Sequence, residues 1–300
     1  MGWLRQIVLF IYVDGVLQKK YISDGTRKTL DIKFSVEKTI GNSPNESTVV
    51  LTNLSSKTKE ALLLLTNKQK ITVRLYAGYE DEGLSLIATG DLVKLFPERQ
   101  GSSDIFTLTF LDGFSAYTNS HLETQFKSGT SLNSVVLTLA KSFEKDGVQV
   151  DPTKIDLDGT IGKRGYSTQG RTATILDYLA NSYRFTWSIQ NGVFQAYMDD
   201  RKKQNSKADF VISVKNRNLL KATPEIGEAY MQQIGMKIEA VLNSKCKPGD
   251  VVQLESNVYP WYNGNYEIYN LTLEGSAKDV DWKMIIDSKN INDGLWNSQK

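Results

Sequence analysis

From Asp31 to Glu37 apolar and polar side chains alternate, with Ile32, Phe34 and Val36 on one side and Lys33, Ser35 and Glu37 on the other. A period of two marks a half-buried strand. Gly41-Asn42-Ser43-Pro44-Asn45 interrupts it, and a second β-rich run extends from Ser47 to Leu54. Ser55 or Ser56 then caps a short helix by accepting a bond from a free backbone N–H. Ala61, Leu62 and Leu65 form its apolar stripe, and Asn67 is its stop. Ile71, Val73, Leu75 and Ala77 share one face of a third strand, which ends at Gly78-Tyr79. Upstream, Ile7 to Val13 enters an Asp14-Gly15 hairpin turn and Val16 to Ile22 returns. Downstream, Leu86 to Phe96 and Ile105 to Leu111 are strands joined by the polar loop Glu98 to Ser103, with Phe106, Leu108 and Phe110 on one face. Roughly seven strands in residues 1–115 are enough to close a barrel and remove its sticky edges.

The period then changes. Thr130 or Ser131 caps a helix carrying Leu132, Val135, Val136, Leu139 and Phe143 at helical spacing, stopped near Gly147. A second helix begins near Thr172 and buries Ile175, Leu176, Leu179, Ala180 and Tyr183. Phe185, Trp187 and Ile189 alternate as a strand, Asn191-Gly192 turns it, and Val193 to Met198 pairs back. Residues 116–207 thus read as a small α+β module, with Asp199 to Lys207 (DDRKKQNSK) as a solvated linker.

From residue 208 to 300 strands return. Met236, Ile238, Ala240 and Leu242 alternate, and Lys247-Pro248-Gly249-Asp250 has the order of a type II turn. Val252 and Leu254 follow, Asn263-Gly264 marks another turn, and Val280, Trp282, Met284 and Ile286 close the set before a C-terminal tail. The fold class expected is mainly β with an α+β insert: two β-barrel-like domains, 1–115 and 208–300, flanking a helix-plus-hairpin module. Two sets of windows also parallel one another. KITVRL, TGDLVKL and SDIFTLTF in the first segment answer to DVVQLE, GNYEIYN and KDVDWKMII in the last. An internal repeat is one reading, and two unrelated barrels sharing turn chemistry is the other.

Composition narrows the classes. Three hundred residues exceed what one core usually organises. A hydrophobic content of 40% with 23% charged residues is ordinary for a globular protein. The net charge of +2 leaves no electrostatic footprint for specific nucleic-acid binding or an anionic membrane. No run approaches the roughly 18 apolar residues of a membrane span. Ile7 to Val13 is too short for a signal peptide and lacks a cleavage site.

Candidate chemistry is sparse. His121 is the only histidine, so multi-histidine metal sites are excluded, and no G-x-S-x-G elbow presents a serine to it. Cys246, the only cysteine, sits between Lys245 and Lys247, neighbours able to lower a thiol pKa; a structural role is the expectation. Gly165 to Thr172 (GYSTQGRT) approaches a phosphate loop but has Arg171 in place of lysine and no apolar strand before it, so it reads as a cap for the second helix. The densest aromatic cluster is Tyr259, Trp261, Tyr262, Tyr266 and Tyr269. Aromatics on a loop anchor protein interfaces or stack on sugars and bases. Tyr259, Trp261 and Tyr262 are the interface candidates; part of the cluster is expected to fill the core. No pair of carboxylates is singled out by spacing. We expect no enzyme, no metal and no cofactor.

One stretch carries a family resemblance. A strand, PNxxxVxLxNLS, a short helix, then VxLxAGY with Gly90-Asp91 beyond it resembles the baseplate hub proteins of contractile-tailed phages and related contractile injection systems. Pro44-Asn45, Asn53-Leu54-Ser55 and Ala77-Gly78-Tyr79 carry the likeness, which continues weakly to Asp287. It implies a structural hub subunit in the virion, assembled in the host cytoplasm. It further implies a homotrimer whose two similar domains form a pseudo-six-fold ring adapting the six-fold tail tube to the three-fold spike. The partners implied are further copies of itself, tube protein, spike protein and other baseplate proteins, with no membrane. The repeated windows would give that adaptor role a physical reason, since closed cyclic assembly buries repeated surfaces. Open alternatives are the tail-tip protein of a non-contractile phage, a carbohydrate-binding module and a cell-wall hydrolase subunit.

Overall fold

The computed structural model describes residues 4–65, 70–162, 164–199, 207–226 and 233–291. Asn67 and residues 200–206 of the expected linker lie outside them. β1 (Arg5–Val13) and β2 (Val16–Ser23) form the expected hairpin, with Asp14 and Gly15 at positive φ (47° and 79°). β3 (Asp31–Thr39) and β4 (Glu46–Thr52) follow, then α1 (Ser56–Leu65), whose first turn is capped by the Ser55 Oγ accepting from Thr58 N–H at 3.2 Å. β5 (Ile71–Tyr79), β6 (Gly83–Gln100) and β7 (Ser103–Leu111) form a meander. The expected loop Glu98 to Ser103 is instead the tip of the long β6–β7 hairpin, too exposed to carry an apolar pattern.

The middle segment contains α2 (Phe114–Asn119), β8 (His121–Phe126), α3 (Leu132–Lys141), β9 (Gln149–Asp156), β10 (Tyr166–Arg171), α4 (Thr172–Tyr183), β11 (Phe185–Gln190) and β12 (Val193–Met198). Ser131 caps α3, and Leu132, Val135, Val136, Leu139 and Phe143 are buried as expected. With α4, β11 and β12 they enclose a separate hydrophobic cluster around Trp187.

The last segment runs β13 (Phe210–Ser213), β14 (Leu219–Ile226), β15 (Gln233–Val241), β16 (Val251–Glu255), β17 (Gly264–Ser276) and β18 (Trp282–Asn290). Val280 precedes β18 and is exposed, so the closing alternation starts at Trp282. Gly264 is already strand, and the turn expected at Asn263-Gly264 is the end of a longer loop.

Among the described residues thirteen strands of the first and last segments join in one sheet, ordered β14-β15-β18-β17-β3-β4-β7-β6-β5-β1-β2, with β16 also on β17 and β13 on β16. One core runs beneath both, from Ile7 and Phe110 to Met236 and Ile286. Among the described residues no ladder closes either segment into a barrel. Closing the first would require β2 to pair with β3, but that edge of β3 is taken by the second half of β17, from Asn270↔Thr39 to Ser276↔Lys33.

The two segments repeat one another in topology and register. β3-β4-β7-β6-β5 answers to β14-β15-β18-β17-β16. Val93 bulges between the pairs Leu92↔Phe110 and Lys94↔Thr109; Tyr269 bulges between Ile268↔Ser288 and Asn270↔Asp287. Aligning these bulges brings the β6–β7 pairs from Asp91↔Leu111 to Arg99↔Asp104 onto those from Glu267↔Lys289 to Gly275↔Trp282. The same alignment carries Glu46↔Leu111 through Thr52↔Ile105 onto Gly235↔Lys289 through Val241↔Lys283 without a slip. It pairs Gly90 with Tyr266 rather than with Gly264, so the sequence windows were two residues out of step in this strand. The outermost neighbours differ: β1 pairs β5 antiparallel, whereas β13 pairs β16 in parallel.

The motif residues build turns and packing. Asn45, buried, accepts from Thr39 N–H at 2.9 Å and donates to the Ile189 carbonyl. Asn53 takes φ 57° and accepts from Asp104 N–H. Gly90 is required because a Cβ there would lie 2.5 Å from the Leu111 carbonyl oxygen. Asp91 accepts from Ser115 N–H at 2.8 Å, where the chain leaves the sheet for α2.

Candidate assembly surfaces

Residues 256–263 join β16 to β17 and carry the three interface candidates. Ser256 Oγ accepts from Tyr259 N–H, and Pro260–Tyr262 make one 3-10 turn closed by Tyr262 N–H donating to the Tyr259 carbonyl at 3.0 Å. Proline at the first position presets that turn. The rings of Tyr259, Trp261 and Tyr262 lie 5.5–5.9 Å apart, tilted or edge-on. Tyr259 and Trp261 are 49% and 58% exposed, and Val258 beside them 67%. Tyr262 is half-buried against the core, Tyr266 is fully buried and donates to the Tyr262 carbonyl, and half-buried Tyr269 donates to Glu225 Oε2. The sequence cluster therefore divides: two rings face outward on a loop that a third holds down. Exposed aromatics on a braced loop suit a protein contact, since little side-chain freedom is lost on binding.

The second surface is the seam between the repeated segments. Trp282 stands at its centre, edge-on to Phe34 at 5.9 Å and to Tyr79 at 5.8 Å, with the Arg5 guanidinium 5.4 Å from the ring centroid. Arg5 donates to the Asp279 carbonyl at 2.6 Å, and Lys33 pairs with Asp279 at 2.9 Å. Tyr79, the last residue of the AGY motif, donates its hydroxyl to the Leu242 carbonyl at 3.4 Å. That motif tyrosine packs one segment against the other.

A third feature had no sequence signal. The β11–β12 turn plugs into the sheet: Lys38 Nζ donates to Asn191 Oδ1 at 3.0 Å, and Asp112 Oδ1 accepts from Gly192 N–H at 2.9 Å. Gln190 donates to the Thr39 carbonyl, and Asn42 to Asp177. Lys38 and Asp112 are each only 5% exposed. Burial pushes the Asp112 carboxyl up and the Lys38 ammonium down, each opposed by the other's charge. The two side chains fix the middle segment to the sheet, with Asp112 at the floor of a cleft also lined by Lys70, Asp91 and Asp146.

His121 is exposed, with Nδ1 2.9 Å from the Asn119 carbonyl. Cys246 is buried, and desolvation raises its thiol pKa despite the nearby lysines. GYSTQGRT is mostly strand β10, paired with β8 and running straight into α4 without a side-chain cap from Arg171. Among the described residues no cluster of three metal-ligating side chains occurs, and no helix is long and apolar enough to cross a membrane.

A model of the family described as Baseplate hub gp41 matches residues 12–288. A search of the curated proteins gave no match. Among solved structures, the chain resembles the tail protein from Neisseria meningitidis MC58 at TM-score 0.64 and 10% identity, over 97% of this chain and 98% of that one. It resembles the prophage MuSo2 43 kDa tail protein from Shewanella oneidensis at TM-score 0.65 and 11% identity, over 95% and 97%. It also resembles the E. coli c3393 protein at TM-score 0.57 and 8% identity, over 93% of this chain and 76% of that one. That protein is described as a component of the type VI secretion system with structural similarity to the T4 tail proteins gp27 and gp5. At these identities the likeness is one of fold.

Proposed function

This chain belongs to the Baseplate hub gp41 family, and from that premise we propose that it works as a homotrimer adapting a six-fold tail tube to a three-fold spike. The coarser role, a structural protein of the phage tail and baseplate carried in the virion, comes with the family. In the trimer, the segments 1–115 and 208–300 alternate around a central channel, and the module 116–207 sits outside the repeat. The tube protein stacks on one face, the spike protein plugs the other, other baseplate proteins attach around them, and assembly takes place in the host cytoplasm.

The observation that carries this reading is the repeat in register across the aligned bulges at Val93 and Tyr269. Two units of one topology in one chain let three copies present six similar units, and a closed ring is the usual way to satisfy such surfaces. The aromatic loop supports a three-fold contact. Its counterpart in the first unit is the turn Glu80-Asp81-Glu82, so Tyr259, Trp261 and Tyr262 would recur three times around the ring. We assign them to contact with a neighbouring tail subunit.

Native mass measurement and imaging of purified particles test the proposal. The expected result is a particle of three times 33.7 kDa with both repeated units at one radius. A stable monomer that binds neither tube nor spike protein, or units at unrelated radii, would overturn it.

A further inference from the structure

The internal seam says how neighbouring copies join. We propose that the second half of β6 in one copy pairs antiparallel with β14 of the next, repeating between chains the β17–β3 seam made within the chain; this rests on the trimeric reading above. In the repeat, β6 stands where β17 stands and β14 where β3 stands. β17 spends its second half on β3, and Asn270 to Ser276 are all buried or half-buried. The corresponding half of β6 is bound on one side by β7 and has no partner on the other among the described residues; Phe96 to Gln100 are exposed, Phe96 at 59%. Among the described residues β14 likewise pairs only with β15 and ends the sheet. Each repeated unit therefore has, among the described residues, one open edge of the kind joined inside the chain.

The alignment fixes the register. Ser276↔Lys33, Glu274↔Ser35 and Thr272↔Glu37 become Gln100↔Lys221, Glu98↔Thr223 and Phe96↔Glu225. Glu98 matches Glu274, Lys221 matches Lys33 and Glu225 matches Glu37, so three charged positions of the seam recur, while Lys38 gives way to Ile226 and Asn270 and Gly275 give way to Lys94 and Arg99. Lys221 lands diagonally across from Glu98, an opposite-charge neighbour. A head-to-tail contact of this kind closes into a ring when the rotation allows it.

One pair differs. Leu273↔Val36 becomes Pro97↔Pro224. Ile40 donates its N–H to the Tyr269 carbonyl, and every second residue before it in β3 points the same way. Val36 thus faces β17 with its N–H, and Pro224 and Pro97 have none to offer there. Main-chain bonds between copies form on either side of that pair, at Leu95↔Ile226 and Arg99↔Ala222. The seam between chains is weaker than the one within, and the prolines protect a free chain's edges from stray pairing.

Cysteines at Glu98 and Thr223 in one chain test this, since residues opposite one another at a non-hydrogen-bonded pair are within disulfide reach; Cys246, being buried, does not compete. After mild oxidation, Glu98→Cys/Thr223→Cys should give covalent dimers and trimers on a non-reducing gel. Glu98→Cys/Ser35→Cys should stay at monomer size, because the edge at Ser35 is occupied. In the wild-type trimer, the amides of Leu95, Arg99, Ala222 and Ile226 should exchange more slowly than in the dissociated chain. A native trimer without the cross-link or the protection overturns the seam and leaves the trimeric reading standing. A protein that is monomeric at every concentration overturns both.

Discussion

The turn joining β5 to β6 and the loop joining β16 to β17 hold the same place in two units of one topology, yet their chemistry is opposite. The first is Glu80-Asp81-Glu82; the second is braced by its own hydrogen bonds and presents Tyr259 and Trp261. The strands beneath keep their register and even their bulge. A similar division holds at the seam: Trp282, buried among Phe34, Tyr79 and Arg5, corresponds to Asp104, which is half-buried and paired with Lys59 at 2.7 Å. The ladder sets where each unit sits, and the side chains at its ends set whether that place faces the same chain, another copy or another protein. A repeat of this kind can be six-fold in its strands and three-fold in its contacts.

The largest test of that contrast is Trp282→Ala. Removing a buried aromatic that joins the units should lower stability by about 3–5 kcal/mol, read as the midpoint of urea unfolding. Asp104→Ala, at the corresponding place, should move the same curve by a small fraction of that amount. Equal effects would mean that the two places are not inequivalent.

Asp112→Asn comes next. The counterpart of Asp112 in the last unit is Asn290, so this change makes the units alike at the point where the middle segment attaches. Asp112 Oδ1 accepts from Gly192 N–H at 2.9 Å, and an asparagine puts a donating NH2 where the buried carboxyl has its second oxygen. A buried donor left unpaired costs about 2 kcal/mol. The folded carboxyl is pushed up to about 7, whereas an unfolded aspartate ionises near about 4. A raised carboxyl contributes its full stability below the unfolded value and loses it as pH rises through the folded one. The loss on Asp112→Asn should therefore be greater near about pH 5 than near about pH 8. A penalty that grows with pH would show that the carboxyl is not raised.

Trp261→Ala should have the smallest effect on folding, within about 0.5 kcal/mol, because the ring is largely exposed. It should nonetheless weaken binding of a neighbouring tail subunit, measured by calorimetry with purified spike or tube protein. Glu82→Ala, in the corresponding turn, should leave that binding unchanged. If both variants bind alike, the aromatic loop is not the contact.

The elements readable from sequence are those whose two faces differ. β3, β5, β11 and β18 bury every second residue, and Ser55 and Ser131 cap helices through bonds to the third residue along. β8 and β10 escaped notice because their two-stranded ribbon has no fully buried position to produce an apolar alternation. β14 escaped because Pro224 argues against a strand, and an edge is where a strand tolerates one. Of the aromatic cluster, sequence located the loop, but which rings point outward depended on how β17 leaves it.

The sequence by itself determined most of the local elements, their turns and the insertion of a helical module, and left the likeness of the opening and closing segments as one of two readings. Only the tertiary structure decided that β17 lies on β3, more than two hundred residues away in the chain, and that the two segments share one core. It also decided that Lys38 and Asp112 are buried around a turn from the middle segment. Alternation tells a strand which side chains to bury but not which strand will lie beside it, because main-chain hydrogen bonds are the same at every residue except proline.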